Sequence, residues 1–334
     1  MMENHILLSV ENLTVRFPGF HHTMHAINGC SFEVRKGELL GLVGESGCGK
    51  SLTSAACMGI LPANAEVSGR IRLGETDMVS AGEAELASLR GQKIAMIFQN
   101  PMTALNPFFT VGRQLTDVIR RHQPLDKKSA YSKASALLNK VHLPDPDIAL
   151  KKYPHQFSGG QLQRIMIAMA LSCEPEVLIA DEPTTALDVT IQAQIIVLLR
   201  ELASTEGLSV IFITHDLSVV ASLCDRVAVM YAGQVVEIAP TEQLFAQPLH
   251  PYTQGLLQSV PEIGHGNAPL FAIKGSVPDL RQPLSGCAFV SRCQHCVSQC
   301  YEQAVNMSTI GQRQVRCFQA EGVLASFNRE VANG

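Results

Sequence analysis

Gly44-Glu45-Ser46-Gly47-Cys48-Gly49-Lys50-Ser51 is the stretch on which the fold turns. Two glycines separated by four residues and followed by Lys and Ser make the phosphate-loop pattern. Glu38-Leu39-Leu40-Gly41-Leu42-Val43 ahead of it is apolar enough for a buried strand, and Leu52 to Ile60 behind it reads as a helix. Strand, glycine loop and helix together are the context in which the motif binds phosphate. Glycines let successive backbone N–H groups converge on phosphate oxygens, and the helix N-terminus adds partial positive charge. In that geometry Lys50 reaches the β- and γ-phosphates and the Ser51 hydroxyl ligates Mg²⁺.

The rest of the chain reads as globular, with room for one large domain plus an appendage or for two domains. It has 334 residues, 46% hydrophobic and 17% charged, which is ample for a sizeable core. A formal charge of −4 without a basic run gives no support to a nucleic-acid binder. Met1 to Val10 carries Glu3 and no long apolar core, so a signal peptide is not expected. No run approaches the roughly 18–20 apolar residues of a membrane span. The expected location is the cytosol or the cytosolic face of a membrane.

Working outward from the loop, Leu7 to Phe17 and Ala26 to Val34 read as strands, as do Gly69 to Leu73 and Lys93 to Phe98. His21, His22 and His25 between the first two read as exposed loop histidines rather than ligands. From Val111 to about Leu150 the pattern turns helical, broken at Pro144 and Pro146. Val177 to Glu182 is an apolar strand ending in two carboxylates, and Ser209 to Thr214 is another that ends at His215. A helix over Ile191 to Ala203 lies between them, and two further strands, Arg226 to Met230 and Gln234 to Ile238, close the series. Strands alternating with helices argue for an α/β core. After about Pro240 regular periodicity weakens under Pro248, Pro251, Pro261, Pro269, Pro278 and Pro283, which sets a domain boundary near 245–265.

Several residues have chemistry suited to a nucleotide. Asp181 at a strand end suits Mg²⁺, usually through water. Glu182 beside it is placed to polarise a water aimed at the γ-phosphate; its alternative reading, taken alone, is a capping acid at a strand end. Gln99 following a strand suits sensing of Mg²⁺ and the attacking water, and His215 suits a hydrogen bond to the γ-phosphate. Ser158-Gly159-Gly160 at a helix start presents backbone N–H groups and a hydroxyl to a phosphate.

In this order the set resembles the ATP-binding-cassette ATPases over residues from about 8 to 240. The resemblance rests on the Walker A loop, Gln99, the signature Phe157-Ser158-Gly159-Gly160-Gln161, the Walker B strand 177–182, Ala186-Leu187-Asp188 and His215. Phe157 stands where the family usually has Leu. The resemblance implies a P-loop NTPase core with an antiparallel β subdomain and a helical subdomain over about 100–165. It implies Phe17 as the aromatic that stacks on adenine, Glu182 as the catalytic base, and His215 as the residue that positions it and the γ-phosphate. It also implies two cassettes enclosing two ATP molecules head to tail, so that Ser158 and Gly160 of one face Lys50 and Ser51 of the other.

Finer stretches narrow the resemblance. Ala95 to Pro107, Ala180 to Gln194, Met230 to Glu237 and His250 to Leu257 are similar to ATPases of peptide and nickel importers, and most of all to the D-type subunits of dipeptide and oligopeptide importers. That implies a nucleotide-binding domain over 1–250 and a C-terminal peptide-importer extension over 251–334. It further implies a related second ATPase subunit, two membrane permeases and an extracytoplasmic binding protein. Nickel, metal chelates or glutathione are alternative cargoes, and a non-transport cassette is the alternative role.

Ten cysteines divide unevenly: Cys287, Cys293, Cys296, Cys300 and Cys317 crowd into the extension. In a reducing compartment such crowding favours a metal site over disulfides. Spacing alone leaves Zn²⁺ with Cys296 and a [4Fe–4S] cluster both open. The resemblance points to Cys287, Cys293, Cys300 and Cys317 as [4Fe–4S] ligands, with Ser291 where the family usually has Pro. Cys48, within the loop, is expected to expose ATP binding to thiol modification.

Overall fold

The computed structural model describes residues 5–185, 187–259 and 272–333. Ala186, Pro261 and Pro269, singled out above, lie outside the described residues. Twelve strands occur among the described residues: β1 (Ile6–Pro18), β2 (Thr23–Arg35), β3 (Leu39–Val43), β4 (Glu66–Leu73), β5 (Thr76–Asp77), β6 (Ile94–Ile97), β7 (Val177–Asp181), β8 (Ser209–Ile213), β9 (Arg226–Tyr231), β10 (Gln234–Pro240), β11 (Ser308–Ile310) and β12 (Arg313–Val315). The chain divides into two compact units, one of residues 5–8, Val34–Leu39 and Leu73–Ile213, the other of Ser9–Glu33, Leu40–Arg72 and 214–333.

In the first unit β6, β7 and β8 pair in parallel, with Ile94 opposite Val177 and Val177 opposite Ser209. Every residue of β7 and β8 is buried. Parallel strands covered on both faces carry no polar side, and these therefore read as unbroken apolar runs. The helical subdomain stands in the same unit, built from Val111–His122, Lys127–Lys140 and Gly159–Leu171. Thr110 caps the first helix by accepting the Arg113 N–H, and Asp126 caps the second by accepting the Ser129 N–H. Val111, Leu115 and Ile119 form the buried stripe of the first, at the spacing of one helix face.

In the second unit β2, β1 and β4 lie side by side in one sheet, the antiparallel β subdomain. A second sheet has β3 parallel to β9 and β10 antiparallel to β9. The hairpin β11–β12 joins its far side, with Val315 opposite Glu237. This hairpin and the helices Pro251–Gln258 and Ala320–Asn333 are regular structure in the stretch where sequence periodicity fades. Strands of three residues are too short to show alternation, and only their pairing with β10 identifies them. The extension is anchored on Leu249, Val315 and Ala320, with Ile310, Val323 and Leu324 packed around them.

Candidate functional site

β3 is wholly buried and ends at Val43, and the loop that leaves it runs into the helix Lys50–Cys57. Gly44 takes φ +152°, and a Cβ there would stand 2.1 Å from the Met230 carbonyl oxygen, so the loop turns only because this residue lacks one. The Lys50 ammonium is buried and donates to the carbonyls of Gly44 at 2.8 Å and Glu45 at 3.1 Å, which folds the side chain back along the loop. Ser46, Gly47 and Ser51 are exposed. The Glu45 N–H donates to the Tyr252 hydroxyl at 2.9 Å, so this amide is engaged by the protein itself. Cys48 is 2% exposed, and burial raises its thiol pKa despite the lowering influence of Lys50. A protonated, covered thiol is a poor nucleophile, so the expected sensitivity to thiol reagents is corrected on these grounds. Phe17 is half-buried near the end of β1, and His215 is exposed one residue beyond the buried Thr214; both belong to the same unit as the loop.

The first unit holds the other half of the set. Asp181 is buried as the last residue of β7. Glu182 follows with φ +46°, a left-handed conformation that costs a non-glycine residue on the order of 1–3 kcal/mol. Its N–H donates to the Ile213 carbonyl at 3.0 Å, which holds the turn. Its carboxylate accepts from Gln99 Nε2 at 2.8 Å and from the Thr185 hydroxyl at 2.9 Å. Gln99 and Glu182 thus meet at one carboxylate oxygen, with Thr185 as an additional member. Thr185 stands one turn after a strand-end carboxylate, and that i, i+3 spacing is the signal that marks it. Two donors fix one carboxylate oxygen and leave the other oriented, which suits a base that must keep its aim.

Ser158 caps the helix Gly159–Leu171 in a capping box, its hydroxyl accepting from the Gln161 N–H while Gln161 Oε1 accepts from the Ser158 N–H. Ser158 and Gly159 are exposed. Gly160 is buried, and a Cβ on it would stand 2.6 Å from Ile191 Cγ2, so its helix packs against the next one only as glycine. Phe157 is half-buried, with the Lys152 ammonium 5.8 Å from its ring centroid.

In the extension, the thiols of Cys287, Cys293 and Cys317 are all raised, chiefly by burial, Cys317 to about 11. Cys300 adds to the rise at each of the three. The Cys287 N–H donates to the Cys300 carbonyl at 2.8 Å. Cys296 instead has the Tyr301 hydroxyl at 3.7 Å. Four soft thiolates are the right donor chemistry for a thiophilic group. Among the described residues, however, no group of three or more Cys, His, Asp or Glu is gathered so as to hold a metal ion.

A phosphate loop after a buried parallel strand, a strand-end carboxylate pair and a serine-capped signature helix define a nucleotide-binding cassette. The family described as ABC transporter matches residues 27–185, and the oligopeptide/dipeptide transporter C-terminal region matches 236–300. The chain is 54% identical over 289 residues to the dipeptide transport ATP-binding protein DppD of Bacillus subtilis (strain 168), covering 86% of each. It is 47% identical over 313 residues to the probable D,D-dipeptide transport ATP-binding protein DdpD of Escherichia coli (strain K12), covering 93% of this chain and 95% of that one. Among solved structures it is similar to the ATP-binding cassette MJ0796 in a dimeric post-hydrolysis state bound to ADP and Pi, with TM-score 0.63 and 25% identity over 70% of this chain and 98% of that one. The chain belongs to the ABC transporter ATP-binding proteins, in the branch that carries the oligopeptide/dipeptide transporter C-terminal region.

Proposed function

We propose that this chain hydrolyses ATP to drive import of dipeptides and oligopeptides, as one of two cassettes beneath a pair of membrane permeases fed by an extracytoplasmic binding protein. The observation that carries the ATPase reading is the Glu182 carboxylate, held by Gln99 and Thr185 directly after the buried Asp181. The peptide reading is supported by the C-terminal family match and by the likeness to DppD and DdpD. Residues 1–250 serve as the nucleotide-binding domain and 251–334 as the extension. No helix among the described residues is long and apolar enough to cross a membrane; the chain works at the cytoplasmic face through its permeases.

In this reading Phe17 stacks on adenine, while Lys50 and the amides of the loop from Gly44 to Ser51, other than the Glu45 amide held by Tyr252, hold the β- and γ-phosphates. Ser51, Gln99 and Asp181 are hard oxygen donors suited to Mg²⁺, which supplies charge neutralisation on the phosphates. Glu182 takes a proton from water as the water oxygen bonds to the γ-phosphorus. The bond to the β,γ-bridging oxygen breaks, and ADP leaves with that electron pair. His215 positions the γ-phosphate. Ser158 and Gly160 serve the nucleotide held by the partner cassette, a pairing supported by the dimeric state of MJ0796 with ADP and Pi.

A strain lacking this chain is expected to lose dipeptide uptake and to regain it with the wild-type chain. Intact peptide uptake with loss of nickel, metal-chelate or glutathione uptake would overturn the peptide assignment in favour of that cargo.

For the extension the reading is a [4Fe–4S] cluster on Cys287, Cys293, Cys300 and Cys317, with Cys296 outside the set. It rests on the sequence pattern alone, Gly286-Cys287, five residues to Cys293 after Arg292, six to Cys300, and the distal Cys317. Protein purified without oxygen is expected to absorb near about 400 nm and to carry about four irons per chain. Cys300→Ser should remove both signals and Cys296→Ser neither. Zinc in place of iron would overturn the ligand set.

A further inference from the structure

Arg292, next to Cys293, has no place in the reading above, yet its side chain ends at the phosphate loop. Its guanidinium makes a forked pair with the Glu45 carboxylate, Nη1 to Oε2 at 2.9 Å and Nη2 to Oε1 at 3.1 Å. The Arg292 side chain is 5% exposed and that of Glu45 27%. The guanidinium also donates to the Lys274 carbonyl at 3.1 Å and the Ile273 carbonyl at 3.2 Å. It lies 5.7 Å from the Tyr231 ring centroid and 5.9 Å from that of Phe289. Phe289 in turn packs edge-on against Tyr231 at 5.2 Å, and Tyr252 lies 4.6 Å from Tyr231. An arginine fixed on this many sides is an anchor rather than a surface charge.

Glu45 is the residue anchored. Its N–H is held by the Tyr252 hydroxyl and its carboxylate by Arg292, while its carbonyl accepts from Lys50. All three contacts meet on one residue of the loop that takes the phosphates. A carboxylate in that loop repels a polyphosphate, and its repulsion falls when a guanidinium forks onto it. Removing one member of a largely covered ion pair leaves the other uncompensated.

We propose that Arg292 is a positioning residue for ATP: it neutralises and aims Glu45, so that the cysteine-rich segment sets nucleotide affinity within the same chain. The inference rests on the reading of Gly44–Ser51 as the ATP loop. It differs from that reading in placing part of the affinity outside the cassette motifs, in a residue 247 positions beyond Glu45.

The test is a double-mutant cycle in the full-length chain, with binding of the fluorescent analogue trinitrophenyl-ATP in the presence of Mg²⁺, followed by KM and kcat in the assembled transporter. Arg292→Met is expected to raise Kd and KM for nucleotide about tenfold, with kcat at saturating ATP within about twofold of wild type. Combining it with Glu45→Gln should bring Kd back to within about threefold, because the stranded carboxylate is gone. Arg292→Lys keeps the charge without the fork and should raise Kd by about threefold. It also serves if Arg292→Met does not fold. Unchanged Kd in a folded Arg292→Met or Arg292→Lys variant would overturn the proposal. So would a double variant no better than Arg292→Met alone, which would make Arg292 a structural residue only. Failure of the wild-type chain to bind the analogue would instead overturn the ATP reading of the loop.

Discussion

Glu182→Gln is expected to lower kcat for ATP hydrolysis by about 10²–10⁴-fold, the range lost when a general base is removed. The amide keeps an oxygen that accepts from Gln99 and Thr185, and the backbone turn held by the Ile213 carbonyl is untouched. What disappears is the basic oxygen. The variant should therefore fold and retain nucleotide affinity within about threefold while phosphate release slows by the same factor as kcat, the signature of an interaction made in the transition state. Phosphate release and nucleotide binding measured on the same assembled transporter check this. Turnover at the wild-type rate would remove Glu182 from the role of base.

The second large effect is on stability in acid. His250 is 2% exposed and its pKa is pushed from 6.5 down to about 3, first by burial and then by the nearby Arg316 guanidinium. Its Nδ1 accepts from the Tyr252 N–H and caps the helix Pro251–Gln258. The unfolded chain takes up a proton on this imidazole below about pH 6.5, and the folded chain does not until about pH 3. Stability from this residue is thus complete above 6.5 and falls as pH drops through that window, by on the order of 5 kcal/mol. Glu237 has the opposite slope. Its carboxylate accepts the N–H groups of Leu249 and His250, burial raises its pKa, and its contribution declines as pH rises above the usual carboxylate range. His250→Asn keeps a good capping acceptor without a titrating ring. Thermal melts from pH 7 to pH 4 should show a shallower loss of Tm for the Asn variant than for wild type. Equal slopes would show that the loss lies elsewhere.

Much of the cassette can be read from the chain because its motifs are local. The strand Leu39–Val43, the glycine loop and the helix Lys50–Cys57 are contiguous, and the φ angles their chemistry needs are written into the glycines themselves. β7 and β8 are legible because strands buried on both faces are apolar along their length, with polar residues only at an end, Asp181 and Ser209. Gln99 and Glu182 are separately visible at strand ends, though not their hydrogen bond, since 83 positions lie between them. The extension is the poorest part of the reading. β11 and β12 have three residues each, and their register depends on β10.

The phosphate loop shows the same division within eight residues. Sequence alone determined that Gly44 to Ser51 bends, presents amides and carries Lys50 at a helix start, because each property belongs to a residue type at a fixed spacing. It also determined the order of motifs and therefore the class of fold. Only tertiary structure decided that the Glu45 amide is taken by Tyr252 and its carboxylate by Arg292, and that Cys48 is a covered thiol rather than a reactive one. Those facts depend on which distant side chains fill the space around the loop. Burial and ion pairing are properties of that packing, and no local pattern records a partner 247 positions away.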